Sequence, residues 1–240
     1  MEIQVGVSAR HIHLSEEHLQ KLFGAGYQLT PERYLSIATQ YISKERLTVR
    51  GPKGELSKVA IIGPARPKTQ VEISKTDGFT IGINVPVRLS GDLEGSESVT
   101  LVGPAGELLI SEGLIVAMRH IHMTVDDAEE FGFQHKDFAM VVVKGARSLV
   151  FDFVVVRVAA ENTHTEIHLD TDEANTSNLR TGDGAELLHV NDKKLRLEQI
   201  INMFDERQLR ILEQSVDEIL VDEKKRLAMM EDILSNLRRK

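Results

Sequence analysis

Two copies of the tetrapeptide Arg-His-Ile-His, at residues 10–13 and 119–122, stand 109 positions apart in this 240-residue chain. In an extended strand, residues i and i+2 point to the same face with Cα atoms roughly 6.6 Å apart. His11 and His13 therefore share a face, as do His120 and His122. Two same-face imidazoles can converge on one metal ion at distances of about 2.0–2.1 Å. The chain has nine histidines and no cysteine, so a transition metal must use His, Asp or Glu. Each pair needs a third ligand. His168 is the best candidate for one site and Glu72 suits the other; His164 shares strand parity with Glu166 and His168 and is a rival. Three protein ligands with an open position are the pattern of catalytic rather than structural metal sites.

Arg66, in Gly63-Pro-Ala-Arg-Pro-Lys68, is a guanidinium on a loop framed by Gly and Pro, suited to bidentate phosphate capture or to plain solvation. Arg88, in Val87-Arg-Leu-Ser-Gly-Asp92, poses the same alternative. Arg10 and Arg119 have opposite parity to the histidines and are expected to support the fold or pair with carboxylates. His18, His135 and His189 lack a partner pattern and read as surface or packing residues.

The elements that must position these groups form a repeat. Hydroxyl residues Ser15 and Thr124 follow the two His pairs, with acidic residues next, which is how a helix begins. Each copy reads as strand, His-x-His, cap and short helix. A second pair of segments, ending Thr69-Gln-Val-Glu-Ile-Ser74 and Thr163-His-Thr-Glu-Ile-His168, aligns Glu72 with Glu166 at an offset of 94. The first half then carries about fifteen extra residues, much of them around 34–41, where Thr30 and Pro31 read as a cap and a first helical position. The rest is short apolar or β-branched runs separated by turns such as Gly-Pro-Lys-Gly (51–54) and Thr-Gly-Asp-Gly (181–184). The expected fold is mainly β: two related small β-barrels with short helical caps, over 1–113 and 114–193. From about Leu195 the apolar residues recur at helical spacing, so 194–240 is expected to be a helical tail, packed on its own barrel or joining chains into a homo-oligomer.

A formal net charge of −8 argues against a nucleic-acid partner, since an acidic surface repels phosphate backbones. No run approaches the roughly 20 apolar residues of a membrane span, and no secretory pattern opens the chain, so the expected location is cytoplasmic. No P-loop, Gly-x-Gly-x-x-Gly or Gly-x-Ser-x-Gly is present.

Five motifs in this order, Ser8-Ala-Arg-His-Ile-His-Leu, Gly63-Pro-Ala-Arg-Pro-Lys-Thr-Gln-Val-Glu-Ile-Ser74, Arg88-Leu-Ser-Gly-Asp92, Arg119-His-Ile-His-Met and His168-Leu-Asp-Thr-Asp-Glu-Ala-Asn175, resemble the PduL-type phosphotransacylases over about residues 3–190. The resemblance implies two β-barrels with two zinc ions between them, and reversible transfer of a short acyl group between coenzyme A and phosphate. It implies zinc on His11, His13 and Glu72 and on His120, His122 and His168, phosphate on Arg66, and coenzyme A near Ser8 and Asn175. It also implies that the strand carrying the first His pair is exchanged between barrels. Family members of bacterial microcompartments carry an encapsulation peptide before that strand; here the strand starts at Glu2, so cytoplasmic action is expected. A zinc-dependent thioester hydrolase and a non-enzymatic zinc scaffold are the alternative readings.

Overall fold

Strand-forming runs separated by tight turns dominate the computed structural model, which describes residues 1–189. The tail expected over 194–240 lies outside the described residues. In chain order the elements are β1 (Glu2–Ser8), β2 (His11–His13), α1 (Glu16–Phe23), β3 (Pro31–Tyr34), β4 (Tyr41–Arg50), β5 (Glu55–Gly63), β6 (Gln70–Glu72), α2 (Lys75–Ile81), β7 (Val87–Arg88), β8 (Glu97–Gly103), β9 (Gly106–Ala117), β10 (His120–Met123), α3 (Val125–Phe131), β11 (Phe138–Val143), β12 (Leu149–Val158), β13 (Glu166–Asp170), α4 (Thr171–Thr176) and β14 (Gly184–His189).

The strands close into two six-stranded mixed barrels, as the sequence leads one to expect. The first runs β2-β5-β4-β8-β9-β6 and back to β2. The second runs β1-β13-β10-β12-β11-β14 and back to β1. Each has its own core. Ile12, Val49, Ile61, Leu101 and Leu114 are fully buried in the first, and Val5, Ile121, Val154, Val156 and Ile167 in the second. Burying each such side chain contributes roughly 1.5–3 kcal/mol.

The two barrels are reciprocally joined. β1 precedes the first His strand yet completes the second barrel, pairing with β13 and β14. β9 precedes the second His strand yet completes the first barrel, pairing with β6 and β8. The run from Glu2 to His13 is thus two strands: β1 lies in the second barrel, and the His pair on β2 stays in the first. The chain passes to the second barrel between Ala117 and His120. Gly113 is a bend inside β9, with φ of 131°, and a Cβ there would lie 2.7 Å from the Thr69 carbonyl oxygen. Sequence alone reads such a glycine as a boundary.

Helix caps fix the ends of the His strands. Ser15 caps α1 and Thr124 caps α3, each hydroxyl accepting a backbone N–H of the first turn. Ser74 and Asp170 cap α2 and α4 in the same way. Thr30-Pro31, by contrast, does not start a helix. Pro31–Tyr34 is a strand paired with β4, and Glu45 carboxylate oxygens accept the Thr30 N–H at 3.0 and 3.2 Å. Among the described residues no helix is long and apolar enough to cross a membrane.

Candidate metal and anion site

Strand pairing assembles both triads. On β2, Ile12 is fully buried in the core while His11 stands opposite Glu72 of β6. On β10, Ile121 is fully buried while His120 stands opposite His168 of β13. The ligand-type atoms of His11, His13 and Glu72 lie within 4.8 Å of one another, as do those of His120, His122 and His168. His11 Nε2 is 3.5 Å from Glu72 Oε2, and His120 Nε2 is 3.0 Å from His122 Nε2. Ligands at about 2.0–2.1 Å on a tetrahedron are separated by about 3.3 Å, so the spacings fit a common ion.

Protonation fits as well. His11 Nδ1 is 2.9 Å from the Ala9 carbonyl oxygen, and His120 Nδ1 is 2.9 Å from that of Met118. A carbonyl only accepts, so each Nδ1 carries the proton and each Nε2 offers a lone pair, the usual outer-shell arrangement of a ligating histidine. The buried Nδ1 of His13 has no hydrogen-bond partner, an orphan that a metal would satisfy. Burial, then His168, pushes His120 down to about 4 and His122 down to about 2. Burial also holds His13 well below its ordinary value. Neutral imidazole is the ligating form. Burial alone would raise the Glu72 carboxyl, but His11, His13, His120 and a Ser90 hydrogen bond hold it at about 2. A carboxylate held ionised inside the protein calls for a cation beside it.

Both triads open onto one cavity of about 540 Å³, an ordinary size for a small-molecule site. Four arginines line it: Arg10, Arg33 on β3, Arg66 from the loop after β5, and Arg157 from β12, opposite His122. The Arg66 backbone N–H donates to the Leu14 carbonyl at 2.8 Å, and its guanidinium donates to Gln40 Oε1 at 3.2 Å. Burial, together with Arg157, lowers the Arg66 pKa, against the pull of Glu72. Of the four, Arg10 pairs with Asp77, while Arg33, Arg66 and Arg157 form no ion pair among the described residues. Three cations lining one cavity without ion-pair partners form a receptor for an anion.

Other candidates fall apart from this centre or at its edge. Ser8 lines the cavity, its hydroxyl 3.5 Å from His11 Nδ1. Asn175 is exposed on α4 and does not line the cavity. His164 lines it, but its Nε2 faces Glu166 Oε2 at 3.4 Å, outside the triad. Arg88 turns to its own loop, toward Asp92 and the Gly95 carbonyl. Arg10 pairs with Asp77 at 2.8 Å and Arg119 with Glu173 at 2.7 Å, as their parity leads one to expect. His18 contacts the Thr69 hydroxyl and His135 is exposed. Sequence reasoning missed Arg157, the one charge in Val154-Val-Val-Arg-Val158, although a lone cation in an apolar strand was a usable signal. It also missed Ser90, which donates to Glu72 Oε1 at 3.0 Å, and Glu166, whose Oε1 lies 2.7 Å from His168 Nε2.

Twin barrels that bring two His-rich triads and three arginines without ion-pair partners to one cavity form a candidate two-site metal centre facing an anion-binding space. Comparison with known proteins agrees. The profile of the phosphate propanoyltransferase family matches residues 4–180. A phosphate propanoyltransferase of Thermotoga maritima is 52% identical over 182 residues, 75% of this chain and 86% of the relative. One from Clostridioides difficile is 47% identical over 186 residues, covering 78% and 88%, and one from Listeria monocytogenes is 47% identical over 180 residues, covering 75% and 84%. The chain belongs to the phosphate propanoyltransferase family of phosphotransacylases.

Proposed function

We propose that this chain transfers a short acyl group, acetyl or propanoyl, reversibly between coenzyme A and inorganic phosphate at a two-zinc site. The observation that carries this reading is the sharing of one cavity by two His-rich triads and three arginines without ion-pair partners, Arg33, Arg66 and Arg157. His11, His13 and Glu72 would hold one ion, and His120, His122 and His168 the other. The bound ions would supply Lewis-acid stabilisation of negative charge. Arg66, assisted by Arg157, binds the phosphate and orients one oxygen toward the thioester carbonyl. That oxygen forms the new C–O bond, the carbonyl oxygen carries the charge of the tetrahedral species, and the C–S bond then breaks to release coenzyme A as thiolate. No cysteine is present to carry the acyl group, which favours direct attack by phosphate. The Ser8 hydroxyl at the cavity wall is placed among the coenzyme A contacts, and Asn175 is kept for the part of that ligand extending beyond the cavity. Cytoplasmic action and assembly into a homo-oligomer belong to the same proposal.

The test is product analysis. Purified protein with propanoyl-CoA should release thiol only when phosphate is present and should yield acyl phosphate. Free acid formed without phosphate would instead establish the hydrolase. Elemental analysis should find close to two zinc ions per chain, fewer when His120 and His122 are both changed to Ala.

A further inference from the structure

The segment between β3 and β4, residues 35–40, belongs by sequence to the first half but is bonded to the second barrel. Ile37 forms an antiparallel bridge with Asn162. The Ala38 N–H donates to the Glu161 carbonyl at 3.0 Å, and the Thr163 N–H donates to that of Ser36 at 3.1 Å. The Thr163 hydroxyl donates to the same Ser36 oxygen at 2.5 Å. Two polar side chains of this segment reach different parts of the site. Gln40 accepts from Arg66. The Ser36 hydroxyl donates to Glu166 Oε1, the oxygen that faces His168 Nε2. The second half has no room for an equivalent, since the spacing from His11 to Glu72 exceeds that from His120 to His168 by 13 residues.

We infer that residues 35–40 are a clasp that sets both parts of the site at once: Ser36 is a positioning residue for His168 through Glu166, and Gln40 one for Arg66. The inference rests on the two-metal, phosphate-binding reading above. Glu166 is buried between two imidazoles, His168 at 2.7 Å and the more exposed His164 at 3.4 Å. A carboxylate free to rotate can serve either. The Ser36 hydroxyl fixes the orientation that serves His168, and an outer-shell partner of this kind is worth about 10–100-fold in metal affinity. Gln40 restricts the Arg66 side chain, so less freedom is lost when the guanidinium engages an anion.

Metal-loaded full-length protein and its Ser36→Ala, Ser36→Thr and Gln40→Ala variants would be titrated with a chelator, with release of each ion followed. In Ser36→Ala one ion should leave about 10–100-fold more readily, the other should be held as in the parent, and the KM for phosphate should not move. Ser36→Thr keeps the hydroxyl and should restore parental release. Gln40→Ala should keep both ions and raise the KM for phosphate about 5-fold, the worth of one hydrogen bond. Parental release in Ser36→Ala overturns the inference, as does equal loosening of both ions that threonine fails to repair, which marks a merely structural role. An unchanged phosphate KM in Gln40→Ala removes the Arg66 half. Should the parent show no phosphate-dependent turnover, the proposed function fails, while chelator release still decides the role of Ser36.

Discussion

Replacing Gly6 by alanine should loosen one metal site without weakening the fold. Gly6 on β1 pairs with His168 on β13. A Cβ at this position would lie 2.8 Å from His168 Cδ2, 3.0 Å from Nε2 and 3.2 Å from Glu166 Oε2. Carbon atoms pack comfortably at about 3.5–4.0 Å, so the imidazole must retreat by about 0.7–1.2 Å. Metal–ligand distances tolerate only about ±0.2 Å. The ring either rotates out of the triad or drags the ion with it, and affinity at that site should fall by at least about 10-fold, the low end for losing even an outer-shell partner. Gly6 is not among the glycines of positive φ. Alanine there adds no backbone strain and, by narrowing the unfolded ensemble, contributes about 0.4–1 kcal/mol of stability. The assay has two readouts: metal per chain after equilibration with graded chelator, and the melting temperature of the metal-free protein. One ion should be lost early, with the metal-free melting temperature unchanged or raised. Retention of both ions at parental affinity would refute the placement of His168 against β1. A metal-free variant that fails to fold would refute it too, because the clash would then fall on the strand rather than the ring.

Arg66→Ala should lower kcat/KM for phosphate about 10–150-fold, the worth of one charge-assisted hydrogen bond, with both ions retained; Lys should restore part of it, and unchanged phosphate kinetics would return Arg66 to an ordinary loop residue. In the metal-free protein, burial depresses His120 to about 4 and His122 to about 2, so near pH 6.5 the unfolded chain takes up protons that the folded one refuses. Stability should be full above that pH and fall as pH drops toward 4, by up to about 1.4 kcal/mol per pH unit for each histidine; denaturation midpoints that match at pH 7.5 and pH 5 would contradict this. Truncation at about residue 194 should abolish a defined oligomer by light scattering, with zinc and most activity kept, if the tail joins chains, and should give insoluble or zinc-poor protein if the tail packs on its own barrel. A soluble, active truncate of unchanged mass state would assign the tail to some other partner.

The grouping of the histidines and Glu72 into two triads was legible in sequence because strand parity is robust. The alignment of Glu72 with Glu166 is two residues out of register: the structure pairs His11 with Glu72 and His120 with His168, an offset of 96 rather than 94. A slip of two in a strand keeps every side chain on its own face, so the candidate ligands survived the error. The corrected register also pairs Ser74 with Asp170, the caps of α2 and α4, and Thr69 with Thr165. Those two hydroxyls accept the N–H groups of Ser15 and Thr124. The contributions of Ser36 and Gln40 were not legible. They sit in an irregular segment without periodicity, and their partners lie 130 and 26 positions away. Arg157 shows in the sequence only as one cation in a valine-rich strand, a signal without spacing. Exchange of the first strand is implied by the family resemblance alone, and that of β9 cannot be read from the sequence, since either barrel buries the same apolar face.

The two halves agree where they build and differ where they act. The carbonyls of Ala9 and Met118 fix the ring tautomers. The Arg10–Asp77 and Arg119–Glu173 pairs, the helix caps and the threonine hydroxyls all recur at matching positions. The differences lie on the cavity wall. Glu72 stands where the second half has His168, and Ile62 where it has Arg157, as the register of β5 against β2 and of β12 against β10 requires. Only the first half carries the clasp of residues 35–40. A thioester and a phosphate are unlike partners, and a strictly symmetric pair of sites would treat them alike. Duplication supplies two preformed triads at low cost in new structure, and the unmatched residues then give one triad a carboxylate and the other an adjacent cation. That difference is what an unsymmetrical group transfer needs from a symmetric frame.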